Sequence, residues 1–363
     1  MHASLAEFDL AIKALDSYID LVVSAKDRAE KAAESGTLER DETLLQTVSE
    51  GVLLLCSIGS RKEAEKAKNL IEILEKYVEN DISRDLDGGS LQNGDHGETD
   101  EINKVSPNVI ALAYRAIGIG LANWSRWTPV NEARDDIRAE AIENLERSLA
   151  PELGEQYNLS PLYALALVLA ESRDLDAAID YVKLALSSKS HSSVEETESA
   201  KLLRQRDLVP LWHLLALLLS AKQDFTVASR SCEAAFEQFP ASVTGFGHSK
   251  RKQRDSSHRA KQDPEEERRD FVNSLRGREK ERILEILMTQ LALMEVLEGP
   301  EAAVNNCDQL LTLFMTLFDS LQLDVTTEGP SKQQQARPKS SAGTIKSIRG
   351  GIFGWKKGSR VPE

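Results

Sequence analysis

Residues 208–240 read LVPLWHLLALLLSAKQDFTVASRSCEAAFEQFP, and residues 159–190 read LSPLYALALVLAESRDLDAAIDYVKLALSSKS. When the two are superimposed, Leu162, Leu165, Ala166, Leu169, Ala178, Val182 and Ala185 fall on Trp212, Leu215, Ala216, Leu219, Ala228, Cys232 and Ala235. The internal spacings are identical, and the later stretch closes on Pro240. Apolar residues at three- and four-residue intervals predict helices, and the polar breaks around Arg173-Asp174 and Gln223-Asp224 split each stretch into two. In both, two small residues lie twelve positions apart, one per helix. Ala166 then faces Ala178 and Ala216 faces Ala228, so that antiparallel helices can approach closely while bulky neighbours fill the space to the adjoining pair. A closing proline blocks further helix.

This pattern resembles the tetratricopeptide repeat, a helix–turn–helix unit of about 34 residues with large and small side chains at fixed offsets. The predicted fold class is therefore all-α, a solenoid of stacked antiparallel helix pairs. A helical bundle with chance Ala–Leu periodicity is the alternative; two units agreeing in phase favour the repeat.

The rest of the chain extends the pattern outward. Phe8, Ile12, Leu15, Ile19 and Val22 predict an amphipathic helix over 4–33. Further pairs are expected at 41–58 with 61–79, 107–124 with 132–149, and 278–297 with 300–320. The predicted organisation is N-terminal helical pairs over 1–80, an acidic disordered insertion over 81–106, and repeats over 107–240. A charged disordered loop then occupies 241–277, a last helical pair 278–322, and a basic disordered tail 323–363.

Composition narrows the function classes. Of 363 residues 41% are hydrophobic, 29% charged and only 5% aromatic, which favours helices packed through small residues over a β-rich core. The net charge of −14 argues against nucleic-acid binding; residues 331–363 carry +7, which leaves −21 for the remainder. Cys56, Cys232 and Cys307 lie far apart in apolar helical patterns and are expected as buried, reduced thiols of a cytoplasmic protein. No cysteine or histidine spacing suits zinc. Residues 1–30 lack the uninterrupted apolar block of a signal peptide, and the apolar runs at 161–170 and 211–219 are too short to span a bilayer.

Motifs for catalysis or cofactors fail on inspection. Asp85 and Asp87 open like a calcium loop, but Gly89 and His96 stand where ligands are needed. Gly118-Ile-Gly120 lacks a third glycine and a preceding strand, so dinucleotide binding is rejected. Asp135 and Asp136 read as a solvated helix face. No catalytic residue, metal ligand or cofactor is expected, and the chain reads as a non-enzyme.

Particular strings point further. LAIKALDSYIDLVVSAKDRAEK (10–31), LLQTVSEGVLLLCSIGSRKEAEKA (44–67), SPLYALALVLAESRDLDAAIDYVKLAL (160–186), LWHLLALLLSAKQDFTVASRSCEAAFEQFP (211–240) and LMEVLEGPEAAV (293–304) resemble the tetratricopeptide-repeat protein seven family. Its fungal members are cargo-transport or filamentation proteins. The resemblance covers most of residues 1–320. It implies a scaffold of the plasma-membrane phosphatidylinositol 4-kinase complex that bridges the kinase to a membrane-anchored adaptor, with links to endocytosis. The location it implies is cytoplasmic and peripheral to that membrane. Family members are much longer, and 333–363 do not look like a capping repeat, so the chain is expected to be a portion of a longer protein. A generic trafficking or regulatory repeat protein with another partner is the rival reading.

Two surfaces are candidate contacts. In such repeats the first helix of each pair lines the concave face, which puts Tyr163, Leu167, His213 and Leu217 at groove-facing offsets. An apolar peptide or helix could occupy them, or neighbouring helices of the chain could cover them. The tail sets Lys346, Arg349, Lys356, Lys357 and Arg360 around Phe353 and Trp355, a composition suited either to an anionic membrane or to a solvated tail. The basic cluster Lys250, Arg251, Lys252 and Arg254 could touch a phosphoinositide or a nuclear import receptor, but the five acidic residues Asp263, Glu265, Glu266, Glu267 and Asp270 nearby favour internal neutralisation.

Overall fold

The computed structural model describes residues 8–32, 40–88, 105–188, 198–239 and 264–318. It divides into two units, Met1–Leu317 and Phe318–Glu363, and all but Phe318 of the described residues lie in the first. Those residues form twelve α-helices and no strand: α1 (Phe8–Ala32), α2 (Asp41–Ile58), α3 (Arg61–Gly88), α4 (Pro107–Trp127), α5 (Arg134–Ser148), α6 (Leu159–Glu171), α7 (Leu175–Ser187), α8 (Glu198–Ala221), α9 (Phe225–Phe236), α10 (Pro264–Ser274), α11 (Gly277–Glu298) and α12 (Pro300–Leu317). A 3₁₀ turn at Pro151–Leu153 links α5 to α6. No described helix is long and apolar enough to cross a membrane.

The two hairpins that decide the fold share their turn chemistry. After α6 the chain enters the left-handed region at Arg173 (φ 66°), and after α8 at Gln223 (φ 66°). The Asp174 N–H then reaches back to the Leu169 carbonyl at 2.9 Å, and the Asp224 N–H to Leu219 at 2.9 Å. Each aspartate caps the next helix: Asp174 Oδ1 accepts from the Ala177 N–H at 3.2 Å, Asp224 Oδ1 from Val227 at 3.4 Å. Such a cap is worth about 1 kcal/mol and fixes where the second helix starts. The shared turn folds each second helix back on the first, and Ala166, Ala178, Ala216 and Ala228 have no exposed surface.

Of the other repeat-packing positions, Leu162, Leu165, Ala185, Leu215 and Ala235 are buried. Trp212 is half-buried, and Pro240 lies outside the described residues. α7 packs against α8, so the two hairpins stand side by side, and α9 packs on α11. One continuous apolar core runs from Leu15 in α1 to Leu218 in α8. Burying one leucine there contributes about 1.5–3 kcal/mol. Exposed ion pairs such as Arg147–Glu143 contribute at most about 1 kcal/mol, so apolar stacking holds the solenoid together.

α4 is the hub, in contact with α2, α3, α5 and α6. Its two glycines explain how. A Cβ at Gly118 would lie 2.6 Å from Leu145 Cγ and 3.0 Å from the Ala141 carbonyl oxygen on α5. A Cβ at Gly120 would lie 2.6 Å from Ile71 Cδ1 and 3.1 Å from Val52 Cγ1. The Gly-Ile-Gly string is thus a close-packing device on two sides of one helix.

Several expectations need correction. α3 continues to Gly88, into the stretch expected to be irregular from residue 81, where Ile82 and Leu86 extend the four-residue spacing that leads from Leu74 to Val78. The segment 241–277 is not wholly a loop, because α10 occupies Pro264–Ser274. Proline in its first turn and three following glutamates suit a helix start, and Val272 and the adjoining Leu275 are buried while the Phe271 ring meets Phe239 edge-on at 6.4 Å. α8 begins at Glu198 and runs straight through Pro210, one i→i−4 bond short. Phe8 is exposed on α1, and of the cysteines only Cys232 is buried, Cys56 being intermediate and Cys307 exposed.

Candidate partner-binding groove

The groove-facing positions lie on α6 and α8, where the helical period turns Tyr163, Leu167, His213 and Leu217 away from the alanines that meet the second helices. The structure separates them. Tyr163 and Leu167 are half-buried, His213 is 5% exposed and Leu217 is 46% exposed. The cover comes from the chain itself. α11 brings Thr289 against His213, with Nε2 and Oγ1 3.0 Å apart, and Arg282 over Tyr163, with Nη1 donating to the phenol oxygen at 3.4 Å.

The hydrogen-bond arithmetic fixes the His213 tautomer. Thr289 Oγ1 donates its proton to the Glu285 carbonyl at 2.9 Å, so it must accept from His213, which therefore carries its proton on Nε2. Nδ1 is buried with no partner among the described residues. Burial first, and the Arg282 charge second, push the imidazole pKa down from 6.5 to about 4. His213 is a neutral packing residue at pH 7, closed to a partner while α11 is docked.

The docking of α11 rests on a second contact that lies outside the sequence-predicted set. Arg206, on the early part of α8, grips Glu279 with both arms, Nε to Oε1 at 2.8 Å and Nη2 to Oε2 at 2.5 Å. Arg206 Nη2 also donates to the Ser274 carbonyl at 3.2 Å, and Glu279 Oε2 accepts from the Arg276 N–H at 2.7 Å, capping α11. Burial raises the Glu279 pKa, but the hydrogen bonds from Arg206 and Arg276 and their charges outweigh it and hold the carboxyl below its ordinary value. The two residues are 73 positions apart, and nothing in a single sequence couples them.

The other shifted groups do not converge on a site. The Cys56 and Cys232 thiols are pushed up to about 11 and about 12 by burial, which makes them inert small hydrophobes. The Tyr181 pKa rises to about 12 through burial and its hydrogen bond to Glu146, a contact between α7 and α5. Among the described residues no group of three or more His, Cys, Asp or Glu could hold a metal ion. Asp135 and Asp136 are exposed, and Asp135 pairs with Arg138 at 3.7 Å. The membrane-tail candidates Lys346, Arg349, Phe353, Trp355, Lys356, Lys357 and Arg360 lie outside the described residues, as do Gly89 and His96.

A curated protein aligns with nearly the whole chain. It is ypp1 of Schizosaccharomyces pombe (strain 972), provisionally named for cargo transport, and the two are 21% identical over 349 residues. The alignment takes in 95% of this chain but 34% of ypp1, so the chain spans about a third of that protein's length. ypp1 is thus a distant homologue over most of an all-helical chain. No protein-family model matches. Among solved structures, BtubC (BKLC) from P. vanneervenii overlays 93% of this chain and 99% of its own at 12% identity and a TM-score of 0.47, a likeness that carries no weight for function.

Proposed function

We propose that the chain is a non-catalytic scaffold in membrane trafficking that helps recruit or stabilise a phosphatidylinositol 4-kinase at the plasma membrane. In this reading it acts from the cytoplasmic side, as a peripheral component, with links to endocytosis. The supporting observation is the stacking of equivalent hairpins on one continuous core, an architecture that presents extended surfaces. The name of ypp1 supports the trafficking part. The kinase and its membrane-anchored adaptor enter through the resemblance of the five strings quoted above. With His213 covered by α11, partner contacts fall on what remains open, including Leu217 on α8 and Met288, Val304, Leu311 and Phe314 on the last two helices.

The test is reconstitution. The purified full chain, checked for helicity by circular dichroism, is mixed at roughly 10 μM, a concentration that reveals micromolar affinities, with the purified kinase, the adaptor, and both together. Co-elution with either on size exclusion supports the proposal. A folded chain that elutes alone from every mixture refutes the kinase assignment, and recovery of the chain with a different trafficking complex favours the rival scaffold reading.

A further inference from the structure

α4, the end of α5, and the start of α6 with the residues just before it line a cleft of about 150 Å³. Asn108, Leu112 and Arg115 enter from one face of α4, and Ser148, Glu155 and Asn158 from the α5–α6 connection. Most of its polar groups are already engaged. Ser148 Oγ donates to the Leu145 carbonyl at 2.6 Å, Asn158 Nδ2 donates to Glu155 Oε2 at 2.8 Å, and Asn158 Oδ1 accepts from the Ser160 N–H at 3.0 Å.

Arg115 is different. No hydrogen bond or ion pair engages its guanidinium among the described residues, and its Nε is shut off from solvent without a partner. Burial accordingly lowers its pKa from the ordinary value, opposed by the Glu155 charge nearby. Arg206 forks onto Glu279 and Arg126 donates to Glu171 at 2.9 Å; Arg138, whose Nε is also buried without a hydrogen-bond partner, still has the Glu171 carboxylate 3.7 Å from its Nη2, whereas Arg115 has no carboxylate in ion-pair contact among the described residues. A partly desolvated cation that lines a cleft and has no protein acceptor on its guanidinium among the described residues is an arrangement that an anion completes.

We propose that this cleft binds a single carboxylate supplied by a partner protein, gripped by the Arg115 guanidinium with Asn108 as a second donor. The planar fork matches a carboxylate in two parallel hydrogen bonds. The volume suits one such group and is well short of the roughly 300–1,000 Å³ of pockets for whole small molecules. Charge decides between oxyanions. The cleft holds one cation and one carboxylate, Glu155, so a monoanion is favoured over a phosphate carrying nearly two charges. Glu155 also weakens the site it borders. The inference rests on the scaffold reading only in taking a protein as the source of the carboxylate.

The test follows the arginine Nε–H signals of the 15N-labelled full chain, with Arg115→Lys identifying the Arg115 signal by its loss. The probes are N-acetylglutamate amide (a side-chain carboxylate), N-acetylalanine (a terminal carboxylate), neutral N-acetylglutamine amide, and inorganic phosphate. A saturable shift of the Arg115 signal with either carboxylate and none with the neutral amide is expected, and the stronger of the two carboxylates names its source. Glu155→Gln should tighten carboxylate binding about threefold, the scale of one screened charge contact. The site assignment is overturned by absence of saturation, by an equal response to the neutral amide, by tighter binding of phosphate than of carboxylate, or by unchanged or weaker binding in Glu155→Gln. These isolated probes report on the cleft whatever the kinase reconstitution gives.

Discussion

Acid should loosen the grip of α11 through His213. In the unfolded chain the imidazole titrates near 6.5; in the folded chain burial and the Arg282 charge hold it near 4. A folded pKa below the unfolded one means that the group's contribution is fully present above pH 6.5 and is lost as the pH falls through 4. The full difference of two and a half pH units corresponds to about 3 kcal/mol, and at pH 5.5 about 1.4 kcal/mol is already lost. The variant His213→Gln keeps an N–H for Thr289 and cannot titrate. Urea unfolding of both proteins at pH 7.5 and 5.5 isolates the term: the parent should lose about 1.4 kcal/mol more than the variant across that interval. Glu279 and Asp207, which are shifted in opposite directions nearby, cancel in the comparison because both proteins carry them. Parallel losses in the two proteins would refute the claim that His213 is held neutral beneath α11.

Removing either arm of the other α11 contact should also be costly. Arg206→Ala and Glu279→Gln should each destabilise by about 1–3 kcal/mol, with a coupling of at least about 1 kcal/mol in the double-mutant cycle; because the Glu279 pKa is depressed, its share persists above the ordinary carboxylate range and fades as the pH drops below it. Gly118→Ala should cost about 1–3 kcal/mol in thermal or urea unfolding, since the added methyl meets the Leu145 side chain and the Ala141 carbonyl on a packed helix. A thiol reagent at pH 7.5 should modify the exposed Cys307 first and Cys232 only on unfolding, read by peptide mass spectrometry.

Much of the helical fold was legible because its determinants are local. Ala166, Ala178, Ala216 and Ala228 announce themselves by spacing alone, and a turn such as Arg173-Asp174 acts within a few residues of itself. Helix ends follow the same logic at Ile58–Gly59 and Glu298–Pro300, where a left-handed glycine or a proline stops the chain locally. The misses have a common cause. α10 carries eight polar or charged residues of eleven in PEEERRDFVNS, so its apolar signal is only Phe271, Val272 and the adjoining Leu275, too sparse to register as a period. Its helicity depends on the surface it meets, including Phe239, and that surface lies far back in sequence.

The groove shows why a site is harder to read than a fold. The offsets of Tyr163 and His213 follow from the helical period, and so does their shared face; whether that face is open depends on where a helix more than 60 residues later comes to rest. Arg206 and Glu279 contribute to that position alongside the buried apolar face of α11, and each alone looks like an ordinary surface charge on a polar helix segment. Thr289 uses its one proton on the Glu285 carbonyl and so can only accept from His213, leaving Nδ1 without a partner. A satisfied apolar residue such as leucine would pack there without that deficit. The histidine therefore makes the α8–α11 contact weaker than it needs to be, and weaker still in acid. α9 also packs on α11, and Ile283, Ile286 and Leu287 of α11 are buried, so protonating His213 weakens a contact whose larger part is apolar.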